Sequence, residues 1–343
     1  MTHTRRRTAS GAAAAAALVA VLSALSVQGC DAGPAAQAEP GTGHAVTFAE
    51  ARSVYQSYLT TSDASARAGD ATAGLANVAD GEWEIANAQY TALTSTGTAV
   101  PRYQYGTPDF YVPAQTGYPR WFMVSVPRRA LGAPAPVSTL MVFGRNKAGA
   151  SWTLDGTTAL APGQQLPAIS RGSDGYAVAL STHDQSLLLP PDVVGATQAA
   201  VVDDGPASPA AAVVAPGEST TALYAQQSAY SNGQTAKGLE YTWLMLGASF
   251  PQFALRTTDG GALVLYGMFL DTTTEHPHLV ISTAIPVPPD FTPLLAAPTE
   301  VGYHAVFANW TYQFVAIDPP ATARNAKLQV IAGTGVPTSG HAY

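Results

Sequence analysis

The chain has 343 residues, 11% of them charged, a single cysteine and a formal net charge of −7. Three of its sixteen Lys and Arg residues precede Cys30 and all 23 Asp and Glu residues follow it, so the part beyond Cys30 carries about −10. That field repels phosphate backbones and excludes nucleic acid and a polybasic membrane patch, while a lone cysteine excludes a disulfide framework and Cys-type zinc sites.

Residues 1–30 read as a cleaved export signal. Arg5, Arg6 and Arg7 give a positive start, and residues 11–27 form an apolar run shorter than the ~20 residues a membrane span needs. Val27-Gln28-Gly29-Cys30 then places a small residue directly before the cysteine. This pattern resembles the lipobox of bacterial lipoproteins, from which Gln28 departs. The resemblance implies a lipid on Cys30, attachment to the cell membrane through it, and exposure on the extracytoplasmic face. Residues 31–45 have no apolar periodicity and read as a flexible tether.

Regular structure is expected from Thr47. Thr47 and Glu50 have capping-box spacing, and Phe48, Ala51, Tyr55, Tyr58 and Leu59 follow a helical stripe that Gly69 ends. Asp70 can cap a second helix with Leu75 and Val78 inward, ending near Gly81. Trp83, Ala86 and Tyr90 suggest a third. From Arg102 onward, short runs rich in Tyr, Phe and Val are bounded by Pro and Gly, and residues 120–126, 139–143 and 151–154 read as strands. The order then repeats. Residues 191–202 suit a helix with proline in its first turn, and further helix starts lie at Ser208-Pro209 and near Ser219. Residues 239–246, 253–257, 262–270, 303–317 and 328–332 read as strands, with a tight hairpin at Asp259-Gly260-Gly261. Helices followed by strands, twice over, predict an α+β fold of two tandem modules, residues 46–188 and 189–343.

The halves also match locally and in order. Asn77-Val78-Ala79-Asp80-Gly81 resembles Val201-Val202-Asp203-Asp204-Gly205. Tyr118-Pro119-Arg120-Trp121-Phe122 resembles Phe250-Pro251-Gln252-Phe253-Ala254, and Leu140-Met141-Val142-Phe143-Gly144 resembles Leu263-Val264-Leu265-Tyr266-Gly267. These pairs point to an internal duplication; the alternative is two α+β domains sharing generic helix-stop and hairpin signals. The stretches AAVVDDGPAS, FALRTTDGGALVLYGMFL and WTYQFVAIDPP, together with the lipobox, resemble a family of actinobacterial lipoproteins that share a domain of unknown function. The resemblance covers essentially the whole mature chain and brings no activity with it. The element order also resembles NTF2-like or cystatin-like modules, in which helices precede a curved antiparallel sheet; that implies a fold and no function.

Chemical signatures are few. Gly247-Ala248-Ser249-Phe250-Pro251 approaches a hydrolase elbow, but Pro251 replaces the second glycine and a strand follows where a helix is needed. Glu275, His276 and His278 lie close together and His304 begins a later strand. Imidazole and carboxylate suit zinc, yet Pro277 and the Thr-rich approach read as an exposed loop, so no metal is expected. His183-Asp184 has no visible third partner. Asp203-Asp204-Gly205 lacks calcium-loop spacing and reads as a helix stop. No phosphate loop is present and no cofactor is expected.

The aromatic residues are more suggestive. In the strand from Tyr303, the positions His304, Val306, Ala308, Trp310, Tyr312 and Phe314 share one face, expected to be buried. Trp121, Trp152 and Trp243 also fall in strand-like runs, where aromatics are mostly core. A curved sheet under helices can nevertheless leave a small apolar cavity, and Trp243, His304, Trp310 and Tyr312 are its candidate lining. The expectation is a non-catalytic binding or scaffold lipoprotein of the cell envelope, with an envelope protein or a small apolar ligand as partner. The alternatives are an exported hydrolase, which needs titratable groups converging in a cleft, and a purely structural surface protein.

Overall fold

In the computed structural model, which describes residues 44, 46–277, 284–295 and 301–343, Thr47 caps α1 (Phe48–Ala68). Its Oγ1 accepts from the Glu50 amide at 3.1 Å. The Glu50 carboxylate serves the neighbouring sheet instead of closing the capping box: it accepts from Trp152 Nε1 at 3.2 Å and pairs with Arg145 at 3.2 Å. Gly69 ends the helix with a φ of 67°, which glycine adopts without a Cβ clash. Asp70 caps α2 (Ala71–Leu75), accepting from the Ala73 amide at 3.0 Å. Gly81 does not end that helix. It lies in the first turn of α3 (Asp80–Thr96), where a side chain would crowd Gln313 and Phe250. Trp83 is exposed, and the buried stripe of α3 is Gly81, Ile85, Ala88 and Tyr90.

The first antiparallel sheet contains β1 (Tyr103–Tyr105), β2 (Asp109–Tyr111), β3 (Arg120–Ala130), β4 (Val137–Arg145) and β5 (Thr153–Ala159). Its order is β1-β3-β4-β5, with β2 also paired to β3. Then come α4 (Pro191–Asp204), two 3-10 turns (Gly205–Ala207 and Pro209–Ala212) and α5 (Thr221–Thr235). The second antiparallel sheet contains β6 (Glu240–Gly247), β7 (Phe253–Arg256) and β8 (Ala262–Glu275). After the short pair β9 (Ile285–Pro286) and β10 (Val301–Gly302), it is completed by β11 (Ala305–Asp318) and β12 (Gln329–Ala342). Its order is β12-β11-β8-β6, with β7 also on β8. Gly260, at φ 88°, makes the expected turn between β7 and β8. The fold is α+β, and the two sheets have a similar layout consistent with two tandem modules.

Strand alternation decides the layers. On one face of the first sheet Phe122, Val124, Met141 and Phe143 pack with Ala51 and Tyr55 of α1. On the other, Trp121, Met123, Leu140 and Val142 meet Phe253, Leu255, Leu263 and Leu265 of the second sheet. The opposite face of the second sheet, with Ala254, Val264 and Tyr266, packs on Val194, Val202 and Leu223 of α4 and α5. The layers therefore run helix, sheet, sheet, helix. Two of the three matched segment pairs occupy corresponding faces of this arrangement. The pair at Gly81 and Gly205 does not, because Asp80-Gly81 opens a helix and Asp203-Asp204 closes one.

The connection between the halves is woven into the second sheet. The Arg256 amide donates to Val178 O at 2.9 Å and the Leu180 amide to Ala254 O at 3.0 Å. Arg256 also pairs with Asp184 at 2.9 Å. His44–Tyr343 accordingly form one compact unit.

Candidate functional site

On the helix-facing side of the second sheet, register sets Tyr241 beside Thr274 on β6 and β8, and Thr272 beside Ala308 on β8 and β11. Threonine, valine and alanine make a low floor there. The larger side chains stand around it. Tyr230 of α5 packs edge-on to Tyr241, with ring centroids 4.7 Å apart. Phe291, from the proline-rich segment after β9, packs edge-on to Trp310 at 5.2 Å. The space left is a cavity of about 190 Å³, lined by Gln226, Gln227 and these four aromatic residues over the small floor.

Among the described residues, no charged side chain lines this cleft. The Tyr241 hydroxyl donates to Gln227 Oε1 at 2.6 Å, and Thr272 Oγ1 donates to Ala308 O at 2.9 Å. Burial pushes the phenols of Tyr241 and Tyr230 above their ordinary range, so both stay neutral. The arrangement offers flat aromatic faces and neutral hydrogen-bonding groups. It suits holding an uncharged ring rather than moving a proton.

Of the four residues expected to line a pocket, Trp310 does so. Tyr312 stacks on Phe314 at 5.3 Å and lies over Gly335. Trp243 donates from Nε1 to Val202 O at 3.1 Å, tying β6 to α4. His304 is exposed just ahead of β11. Thr311 and Gln313, on the opposite face of this strand, are buried as well, because α3 lies against β11 and β12 there. Tyr230, Tyr241, Phe291 and Gln227 went unread. Tyr241 carries a signal, since it shares a strand face with Trp243; Phe291, among prolines, carries none.

The remaining candidates are dispersed. Glu275 is exposed at the end of β8, the His276 amide donates to His304 O at 3.4 Å, and His278 lies outside the described residues, as does Cys30. Among the described residues no three His, Cys, Asp or Glu side chains are placed to hold a metal ion. His183 gains a partner, Asp192, at 2.6 Å. Ser249 sits exposed in the bend before β7. Asp203 accepts from the Met245 amide at 2.9 Å, a structural role.

Fold and cleft together define an α+β protein of two packed sheets with an uncharged, aromatic-walled cleft under its second helical layer. The chain belongs to the family described as Domain of unknown function (DUF8094), whose model matches residues 42–338. It is 29% identical over 213 residues to an uncharacterized lipoprotein of Streptomyces avermitilis, covering 60% of this chain and 58% of that one. It is 27% identical over 182 residues to an uncharacterized lipoprotein of Streptomyces coelicolor, covering 52% and 51%. The chain thus spans a little over half the length of the curated relatives it matches. No solved structure is significantly similar to it. Among the described residues, no helix is long and apolar enough to cross a membrane.

Proposed function

We propose that this protein is a lipid-anchored, non-catalytic binding module of the cell envelope that holds a small uncharged ring in the Trp310 cleft. The observation that carries the reading is the lining: four aromatic side chains and two glutamines around about 190 Å³, with no charge among the described residues. At roughly 30 Å³ per water, that space equals about six waters, room for a single ring. Aromatic faces supply contact area and the amides fix orientation.

The anchor rests on the lipobox-like Val27–Cys30 and on two relatives that are named lipoproteins. Acylated Cys30 would display the folded unit on the extracytoplasmic face. A duplicated, NTF2-like origin for the two modules is supported by matched segments whose side chains meet in one shared core. The test is a thermal shift and tryptophan quenching of the mature protein with phenol and glucose as single-ring probes. A ligand that binds only the folded state raises the melting temperature. The rise should vanish in Trp310→Ala; no shift with any probe, or an unchanged shift in that variant, would overturn the reading.

A further inference from the structure

A second void, of about 100 Å³, lies where α1, α2 and α3 close over β1, β3, β5 and β12. Its lining is mostly apolar, aromatic and small polar side chains but, unlike that of the Trp310 cleft, includes two ionisable ones. Glu82 of α3 and Arg128 of β3 both face it. They form no ion pair within 4.0 Å: the Arg128 guanidinium lies 4.3 Å over the Tyr103 ring, and the Glu82 carboxylate accepts from Gln313 Nε2 at 3.3 Å. A carboxyl and a guanidinium therefore share one small pocket without direct contact.

Thr157 lines the same void. It is only 4% exposed, and its Oγ1 makes no hydrogen bond of ordinary geometry. The Glu82 carboxyl lies within its reach, so the two groups form one polar cluster on this wall of the pocket. On balance burial raises the Glu82 carboxyl, while the charge of Arg128 and side-chain hydrogen bonds from Gln313 and Thr157 partly offset that rise.

The charges decide the ligand class. A lone anion would answer Arg128 and face Glu82; a lone cation would do the reverse. A neutral molecule would answer neither charge. We propose that this void is a binding site for a small zwitterion, its ammonium on Glu82 and its carboxylate on Arg128, with the Thr157 hydroxyl completing the set. At roughly 30 Å³ per water, the space equals about three waters, the size of an amino acid with a minimal side chain.

The test uses the purified mature protein, with glycine and alanine as zwitterionic probes and acetate and methylammonium as single-charge controls. Glycine or alanine should raise the melting temperature and titrate calorimetrically at one site per chain, while the controls at equal concentration do neither. Glu82→Gln and Arg128→Gln should each abolish the effect. Thr157→Val, which keeps the side-chain shape, should preserve the fold by circular dichroism and weaken binding about fivefold or more, the loss of one charge-assisted hydrogen bond. Three outcomes overturn the proposal. The wild type binds neither amino acid, and the void holds only water. Acetate stabilises as well as glycine, which marks an anion site. Thr157→Val binds as tightly as the wild type.

Discussion

The Trp121 indole and the Phe253 ring meet at 5.3 Å in the core shared by the two sheets. They occupy corresponding positions in one of the matched segment pairs. The shared core also implies that neither sheet is stable alone. Trp121, 8% exposed, should cost about 3–5 kcal/mol when cut to alanine. Guanidinium unfolding followed by circular dichroism and by fluorescence should give one coincident transition; two separate transitions would show independently stable sheets.

Gly335 stands opposite Tyr312 across β11 and β12, and the Tyr312 ring lies over the space a Cβ would occupy. Gly335→Ala should cost on the order of 1–3 kcal/mol through overpacking. Adding Tyr312→Ala should recover part of that loss, because the clash partner is gone. A double-mutant cycle by urea unfolding checks it; strictly additive effects would mean the ring moves freely aside.

Asp155 and Asp318 are buried carboxyls pushed up to about 7, mainly by burial. Asp318 Oδ1 has no hydrogen-bond partner. From the ordinary value of 3.8 up to about 7, the folded chain holds protons that the unfolded chain has lost. Stability therefore falls as pH rises through that window and stays reduced above it. Asp318→Asn should gain on the order of 1–3 kcal/mol over wild type at pH ~8 and almost nothing at pH ~4. Asp155→Asn should behave alike. Melting temperatures measured across that range decide it, and a gain independent of pH would rule out the titration.

Cys30→Ser removes the thiol that would carry the lipid. Each buried methylene of an acyl chain contributes about 0.8 kcal/mol, and two or more chains give stable anchoring. The variant should appear in the soluble fraction or persist as an unprocessed precursor. A mature-sized form that still sediments with membranes would show that something other than Cys30 holds the protein there.

The cap at Thr47, the stop at Gly69 and the turn at Gly260 were legible in the sequence because their causes lie within a few residues: a hydroxyl three positions from an amide, or a backbone angle that glycine accepts. Strand positions followed from β-branched and aromatic runs for the same local reason. The sequence alone thus determined the main helices, the position of the longer strands and the α+β order, though not the short strands β1 and β2 or the full reach of β12. Tertiary structure decided which side chains face a void. Trp310 and Tyr312 share one face of one strand, yet Phe291 covers the first and Gly335 lies under the second. Glu82 and Arg128 face the same enclosure because α3 folds back against β5 and β12. No spacing rule announces either meeting: a cleft is the gap between surfaces that the chain brings together from distant positions, and burial, charge and volume there are set by packing rather than by neighbours in sequence.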